Sequence, residues 1–377
     1  MTGVRLLIGG DLCPVNRYEA LFQHGGPEEI LGPFLAHAQA ADLFVANLEC
    51  PLIDQSSPIL KTGPVLGAAS GCAFGLKAIG LHAVGLSNNH IMDHGVQGLA
   101  TTLQACAGAG VQSFGAGPDV TAARRILVQE VKGLRIGLLA MAEREWSIAT
   151  PAQPGANPLD LIEFVRQMKE HRRNLDFLVV LLHAGSEGYE LPSPRLRKVC
   201  QFLVEEGANV VACQHSHCVG SYETYLQQLI VYGQGNFIFD YASHGSKGRE
   251  GIFINLEIQP DGRTAFDLVP FTQETARAGL AAMAPDQEAQ FRAGLERRSL
   301  ALAEAGQVEA AWEAYCRTRK LSLLDEVLDH GRVMRRLNRN GAVLGWRGRP
   351  YFKNLLSIVQ NEGMVETLDT LLRDLLK

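Results

Sequence analysis

An α/β layered fold with an all-helical C-terminal extension is predicted by three features of this 377-residue chain. Before about residue 270, short apolar runs alternate with amphipathic segments, as strands and helices stacked in layers require. The junctions carry helix-start and helix-stop residues in the expected order. From about Ala276 onward Ala, Leu, Glu and Arg dominate, and no further strand ends in chemistry-bearing residues.

The first apolar run, residues 4–8, enters a loop at Asp11, and runs at 42–46, 83–86, 135–140, 177–182 and 209–212 repeat the pattern. Between them one helix begins soon after Asp93 and closes at Gly110. A second opens at Asn157-Pro158, and a third opens at Ser193-Pro194 and ends at Gly207. Proline suits a first helical turn, where its missing N–H has no partner to lose, and glycine suits the residue just past the end. Farther on, 229–232, 237–239, 252–258 and 264–269 read as strands joined by tight turns, with Asp261-Gly262 a hairpin signal. In the helical extension Trp312, Tyr315, Leu321, Leu324 and Leu328 fall near helical spacing, and arginines cluster from Arg332 to Arg349. The expected division is 1–275 and 276–377.

Hydrophobic residues make up 46% of the chain, enough for a core and too many for a disordered protein. A formal charge of -5 gives no electrostatic footprint for nucleic acid. No apolar stretch reaches membrane-spanning length, so membrane insertion is not expected. The start lacks a secretory apolar core, and eight cysteines without a Cys-x-x-Cys pair suit a reducing compartment, so the expected location is cytoplasmic.

The strand ends deliver the chemistry. They carry Asp11, then Asn47-Leu48-Glu49, then Asn88-Asn89-His90 with Asp93, then His183, then His215-Ser216-His217. In open α/β sheets ligands gather at the carboxyl ends of strands, so groups far apart in sequence converge there. A close pair of divalent cations needs a bridging carboxylate, with imidazoles and amide oxygens around it. Glu49 is the candidate bridge, Asp11 a hard anionic ligand, Asn89 an amide-oxygen ligand, and His183, His215 and His217 the nitrogens. His90, oriented by Asp93, is the candidate proton donor to a leaving group. Period-two geometry at a strand end points His215 and His217 the same way. His82, His171 and His330 are left as core or surface residues, and His94, although it follows Asp93, is given no role. No P-loop and no Gly-x-Ser-x-Gly elbow occurs.

Gly10-Asp11, Asn47-Leu48-Glu49, Asn88-Asn89-His90-x-x-Asp93-x-Gly95, His183-x-Gly185, His215-x-His217 and Gly235-Asn236-Phe237-x-Phe239-Asp240 together resemble the signature blocks of the CapA family. These are capsule and poly-γ-glutamate synthesis proteins of the calcineurin-like metallophosphatase superfamily. The resemblance runs in order over roughly residues 4 to 270. It implies a four-layer α-β-β-α sandwich with a dinuclear site at one edge. By position, one metal would take Asp11, Glu49 and His217, and the other Glu49, Asn89, His183 and His215, with His90 as the acid.

The superfamily's first block is Asp-x-His, and here the third residue is Cys13. Its thiolate would complete the first site, or the residue simply packs, as buried cysteines generally do. A subset of the family also shares Lys61-x-Gly63-Pro64, Glu143-x-Glu145-x-Ser147 and the stretch from Glu187 to Arg195. Lys61, Glu187 and Arg195 are read there as a substrate rim. His244, Lys247 and Arg249 lie in a Gly- and Ser-rich segment read as a loop closing over an anion.

The expected function is a metal-dependent hydrolase acting through a metal-bound hydroxide, first of all on a phosphoester. One or two divalent ions of manganese, iron or zinc are expected, since mixed oxygen and imidazole donors suit all three. Amide-bond processing of γ-glutamyl or peptide-like substrates is the second reading, and a non-catalytic accessory role in anionic polymer synthesis is the third. The expected partner is an anionic small-molecule or oligomeric substrate, with homo-oligomerisation left open.

Overall fold

Two sheets lie face to face in the computed structural model of the chain, which describes residues 3–61, 63–240, 247–259 and 262–327. Asp261, His244 and everything after residue 327, including the arginine cluster, lie outside the described residues. The first sheet runs in the order Leu280–Ala281, Thr264–Gln273, Glu250–Ile258, Val4–Cys13, Leu43–Leu48, Ala83–Gly85 and Gln112–Phe114. Its last four strands are parallel, and those before Val4–Cys13 run antiparallel. The second sheet orders Tyr222–Tyr225, Gln228–Val231, Val210–Gln214, Phe177–His183, Leu134–Ala142 and Leu127–Val131.

Side-chain alternation divides each strand between two cores, because successive residues point to opposite faces. Leu6 and Ile8 face the second sheet, where they meet Leu138, Ala140, Val179, Leu181, Val210 and Ala212. Leu7, one residue out of phase, joins the helix-covered face of the first sheet with Tyr18, Phe22 and Leu76. Leu139, Leu178, Val180 and Leu182 turn outward to helices Leu161–His171 and Pro194–Glu205, packing with Phe164, Met168, Leu196 and Leu203. The result is the expected four-layer α-β-β-α sandwich. Strands buried on both faces explain why the sequence shows continuous apolar runs instead of an apolar-polar alternation.

The Val4–Cys13 strand forks. Residues 4–8 pair with Glu250–Ile258, whereas Asp11, Leu12 and Cys13 pair with Asn236–Phe239. The register to its parallel neighbour shifts between Ile8 and Asp11, which re-aims Asp11 at the strand end. Gly10 is required there, since a Cβ at that position would collide with the Gly235 carbonyl oxygen.

Helix Gly95–Gly108 follows Asp93 as expected, and Gly110 and Gly207 both have positive φ just past their helices. The expected helix start at Asn157-Pro158 shifts to Leu161. Asp160 is the true cap, accepting from the Ile162 and Glu163 amides, while Asn157 is buried and donates its side-chain amide to the Ala140 carbonyl.

The chain divides into two compact units, Met1–Trp312 and Glu313–Lys377. Helix Pro285–Ala301 lies in the first, beyond the expected division at residue 275; its Leu295 is buried between the sheets and Ser299 accepts from the Tyr222 amide. Helix Gln307–Val327 follows. No helix among the described residues is long and apolar enough to cross a membrane.

Candidate metal centre

Asp11, Glu49, Asn89, His183, His215 and His217 converge at the carboxyl ends of the parallel strands of both sheets, all buried. Two groups of donor atoms lie within 4.8 Å of one another: Asp11, Glu49 and His183, and Glu49, His215 and His217. Glu49 belongs to both. Asp11 lies 3.9 Å from His183 and 3.7 Å from His217, and the His215 ring lies 4.7 Å from that of His183 and 6.1 Å from that of His217, so these contacts do not divide the histidines between two ions. Asn89 Oδ1 lies 3.1 Å from His183 Nε2. His183 Nε2 and His217 Nε2 lie 3.3 and 3.7 Å from Glu49 Oε1.

Glu49 is 0% exposed, and neither of its carboxylate oxygens has a hydrogen-bond partner among the described residues. A buried carboxylate without a donor is costly, and the usual resolution is a proton or a cation. Burial, then the neighbouring Asp11 and Glu187 carboxylates, hold the Glu49 carboxyl well above its ordinary range. Burial also pushes Asp11 up to about 6, although the Asn47 side chain and the His215 amide pull it down. His183 is held well below the usual histidine range by burial and by the His215 and His217 rings, so its imidazole is neutral and its lone pair available. Acidic oxygens short of donors, facing neutral imidazoles, fit a divalent cation pair.

The surrounding amides fix these groups. Asn47 donates to Asp11 Oδ1 at 2.8 Å, and Asn88 donates to Asn47 Oδ1 at 3.1 Å and to the Leu48 carbonyl at 2.8 Å. The His215 amide donates to Asp11 Oδ2 at 2.9 Å. His217 Nδ1 lies 2.8 Å from Asn236 Oδ1, which sets this ring's tautomer and turns Nε2 towards Glu49. The expected period-two alignment of His215 and His217 does not hold. The strand stops at Gln214, and both histidines have positive φ, 83° and 51°. Residues of this kind seldom adopt that conformation, which persists where surrounding contacts over-determine it. A strained loop, not strand pleating, aims the two rings.

His90 Nδ1 lies 2.7 Å from Asp93 Oδ2, joining the two residues expected to share proton transfer. Lys61, expected on a substrate rim, is part-buried with its side chain nearly enclosed, its ammonium 2.5 Å from Asp93 Oδ1 and 3.3 Å from His90 Nδ1. Asp93 thus receives Lys61, the Leu66 amide and His90 together. Arg195 is exposed and contacts Glu143, whose other oxygen accepts from the Gly185 amide; Lys247 lies 2.7 Å from Glu190. Each of these three cations is matched by a carboxylate from a distant segment. Glu187 is near enough to Glu49 to raise it, and Arg249 lines a cavity of about 410 Å³ beside Gln273. Cys13 lies in neither donor group. It packs in the core of the first sheet beside Cys50, and burial, then Cys50, hold its thiol well above the ordinary range.

Four residues outside the expected set shape the centre: Asn47, Asn88, Asn236 and Glu145. The three asparagines sit inside sequence blocks already singled out, and Glu145 Oε1 stands 3.6 Å from His215 Nε2. Asn47 and Asn88 stand beside ligands in the sequence, whereas Asn236 and Glu145 carry no such signal.

A family model described as bacterial capsule synthesis protein PGA_cap matches residues 5–241. The capsule biosynthesis protein CapA of Bacillus anthracis is 28% identical over 267 residues, which cover 68% of this chain and 62% of that protein. This chain therefore spans less than two thirds of that relative's length. A protein of Mycobacterium tuberculosis described as a probable polyglutamine synthesis accessory protein is 33% identical over 200 residues, 48% of this chain and 51% of that one. Among solved structures, the calcineurin-like phosphoesterase YfkN of Bacillus subtilis aligns with a TM-score of 0.44 at 12% identity, covering 76% of this chain and 92% of that chain.

Proposed function

We propose, for a chain that belongs to the bacterial capsule synthesis protein PGA_cap family, that Asp11, Glu49, Asn89, His183, His215 and His217 hold one or two divalent ions of manganese, iron or zinc, and that the centre hydrolyses a phosphoester. One observation carries this reading: Glu49, wholly buried, offers two unpartnered oxygens to two groups of donors at once. Such ions supply Lewis acidity and an activated water at neutral pH.

The chain's own residues do the rest. Glu49 spans the two groups of donors, and Asn47 and the His215 amide hold Asp11 in place. Asn236 keeps the Nδ1 side of His217 occupied, so Nε2 faces inward. Asp93 holds His90 at Nδ1, leaving Nε2 to pass a proton to the leaving group.

A second reading, amide-bond processing, is favoured by the pairing of Lys61, Arg195 and Lys247 with Asp93, Glu143 and Glu190. With these three cations already paired, a dianionic phosphomonoester gains less from them than from free cations, whereas a scissile amide linkage, itself uncharged, requires none. Metal analysis of protein purified without chelator, with turnover on phosphomonoesters, phosphodiesters and γ-glutamyl amides, decides between them. Bound metal with phosphoester turnover supports the first reading, and bound metal with amide turnover alone supports the second. Protein that takes up no manganese, iron or zinc defeats both.

A further inference from the structure

Helices Leu161–His171 and Pro194–Glu205 both cover the second sheet, and apolar residues of each also reach the surface. Phe164 and Met168 of the first, and Leu196, Cys200 and Leu203 of the second, fill the core below. A surface cleft of about 490 Å³ is lined by Leu161, Ile162, Val165, Val199 and Phe202, of which Val199 and Leu161 also pack into the core. Its remaining lining residues are Arg166, Lys169, Arg195 and Lys198. No acidic or neutral polar residue lines it, in a chain whose net charge is negative.

We propose that this cleft binds an anionic amphiphile with a single apolar chain, its carboxylate or phosphate head between Lys169 and Lys198 and its tail along the apolar lining. The charges select that head. Arg166 is engaged by Glu163 and Arg195 by Glu143, whereas Lys169 and Lys198, one on each helix, meet no carboxylate among the described residues. Lysine stems lie along apolar surface while their ammonium groups stay in water, which sets charge at the rim and hydrocarbon below it. Ile162 is 68% exposed, a large apolar residue that the fold itself leaves uncovered. The volume falls within the range of small-molecule sites, about 300–1,000 Å³. A cleft of about 490 Å³ is sized for one amphiphile and not for a bilayer.

The test is calorimetric titration of the full-length protein with dodecanoate below its micelle-forming concentration, with circular dichroism verifying that the fold persists. Dodecyl maltoside and dodecyltrimethylammonium, which share the tail, serve as comparisons. Saturation at one equivalent per chain is expected, with both comparison compounds weaker by about tenfold or more, as loss of a charge-assisted contact implies. The exposed substitutions Lys169→Glu with Lys198→Glu, and separately Ile162→Asp, should each weaken dodecanoate by about tenfold without altering the fold. Equal binding of the three compounds, or dodecanoate binding untouched by both variants, overturns the proposal. Binding to phosphatidylglycerol vesicles with none of monomeric dodecanoate also overturns it, in favour of a surface-docking patch.

Discussion

Glu49→Gln tests the logic of the centre most directly, because it removes a charge without removing a hydrogen bond. Neither Glu49 oxygen has a hydrogen-bond partner among the described residues, so the new amide leaves no former donor stranded. In metal-free protein the Glu49 and Asp11 carboxylates stand within 4.8 Å of each other. At an effective dielectric of about 20, two unit charges 4.8 Å apart repel by about 3.5 kcal/mol when both are ionised. Unfolding entropy near 2.1 cal/mol/K per residue, summed over the Met1–Trp312 unit, is about 0.66 kcal/mol/K, so full relief of that repulsion raises Tm by about 5 °C. Differential scanning calorimetry of chelator-treated protein, with and without added manganese or zinc, reads both halves of the argument. The variant should melt higher than the parent without metal and lose most of the rise that metal confers on the parent. A metal-free variant that melts lower, yet still gains stability from metal, would falsify the assignment of Glu49 as a carboxylate awaiting a cation.

Asp11 sets a pH window. Its carboxyl is raised from 3.8 to about 6 in the fold, so between those values the folded state holds a proton that the unfolded chain has released. The metal-free protein should therefore lose stability as pH rises from about 4 to about 6, and metal affinity should strengthen as pH passes about 6; denaturant melts and metal titrations across that range check both signs. His90→Ala should lower turnover about 10²–10⁴-fold on whichever substrate the panel identifies, with metal content unchanged by elemental analysis, and metal loss would make His90 a ligand instead. Lys61→Met strands Asp93 with a buried charge, so a loss of about 3–5 kcal/mol is expected in chemical denaturation, whereas Lys61→Arg should recover part of it. A Lys61→Met protein of unchanged stability would argue that the pair is not formed in solution.

The layered architecture was legible because burial on both faces of a strand leaves a local mark. Runs such as 177–182 are apolar at every position, and the structure divides Leu178, Val180 and Leu182 from Val179 and Leu181 between two cores. The strand-end clustering of Asp11, Asn89, His183 and the His215 to His217 segment was legible for a similar reason: parallel strands bring their carboxyl ends to one edge. The helix start at Leu161 was missed because Asn157-Pro158 offers a capping residue and a proline too, and only the Ala140 carbonyl and the free amides of Ile162 and Glu163 choose between them.

What the amino-acid sequence determined by itself was therefore what periodicity and residue type encode within a few positions: the strands, most helix boundaries, and the kinds of donor at each strand end. The tertiary structure alone decided how those donors group, with Glu49 common to both sets, and how the chain's cations are spent. Lys61 goes to Asp93, Arg195 to Glu143 and Lys247 to Glu190, across segments far apart in the chain. It also decided that His215 and His217 are aimed by left-handed backbone beyond the strand. The physical reason is range. Hydrophobic patterning repeats along the chain and can be read there, whereas the partner of a charge is whichever opposite charge packing brings within about 4 Å, and Coulomb energy falls with a distance that residue numbering does not record.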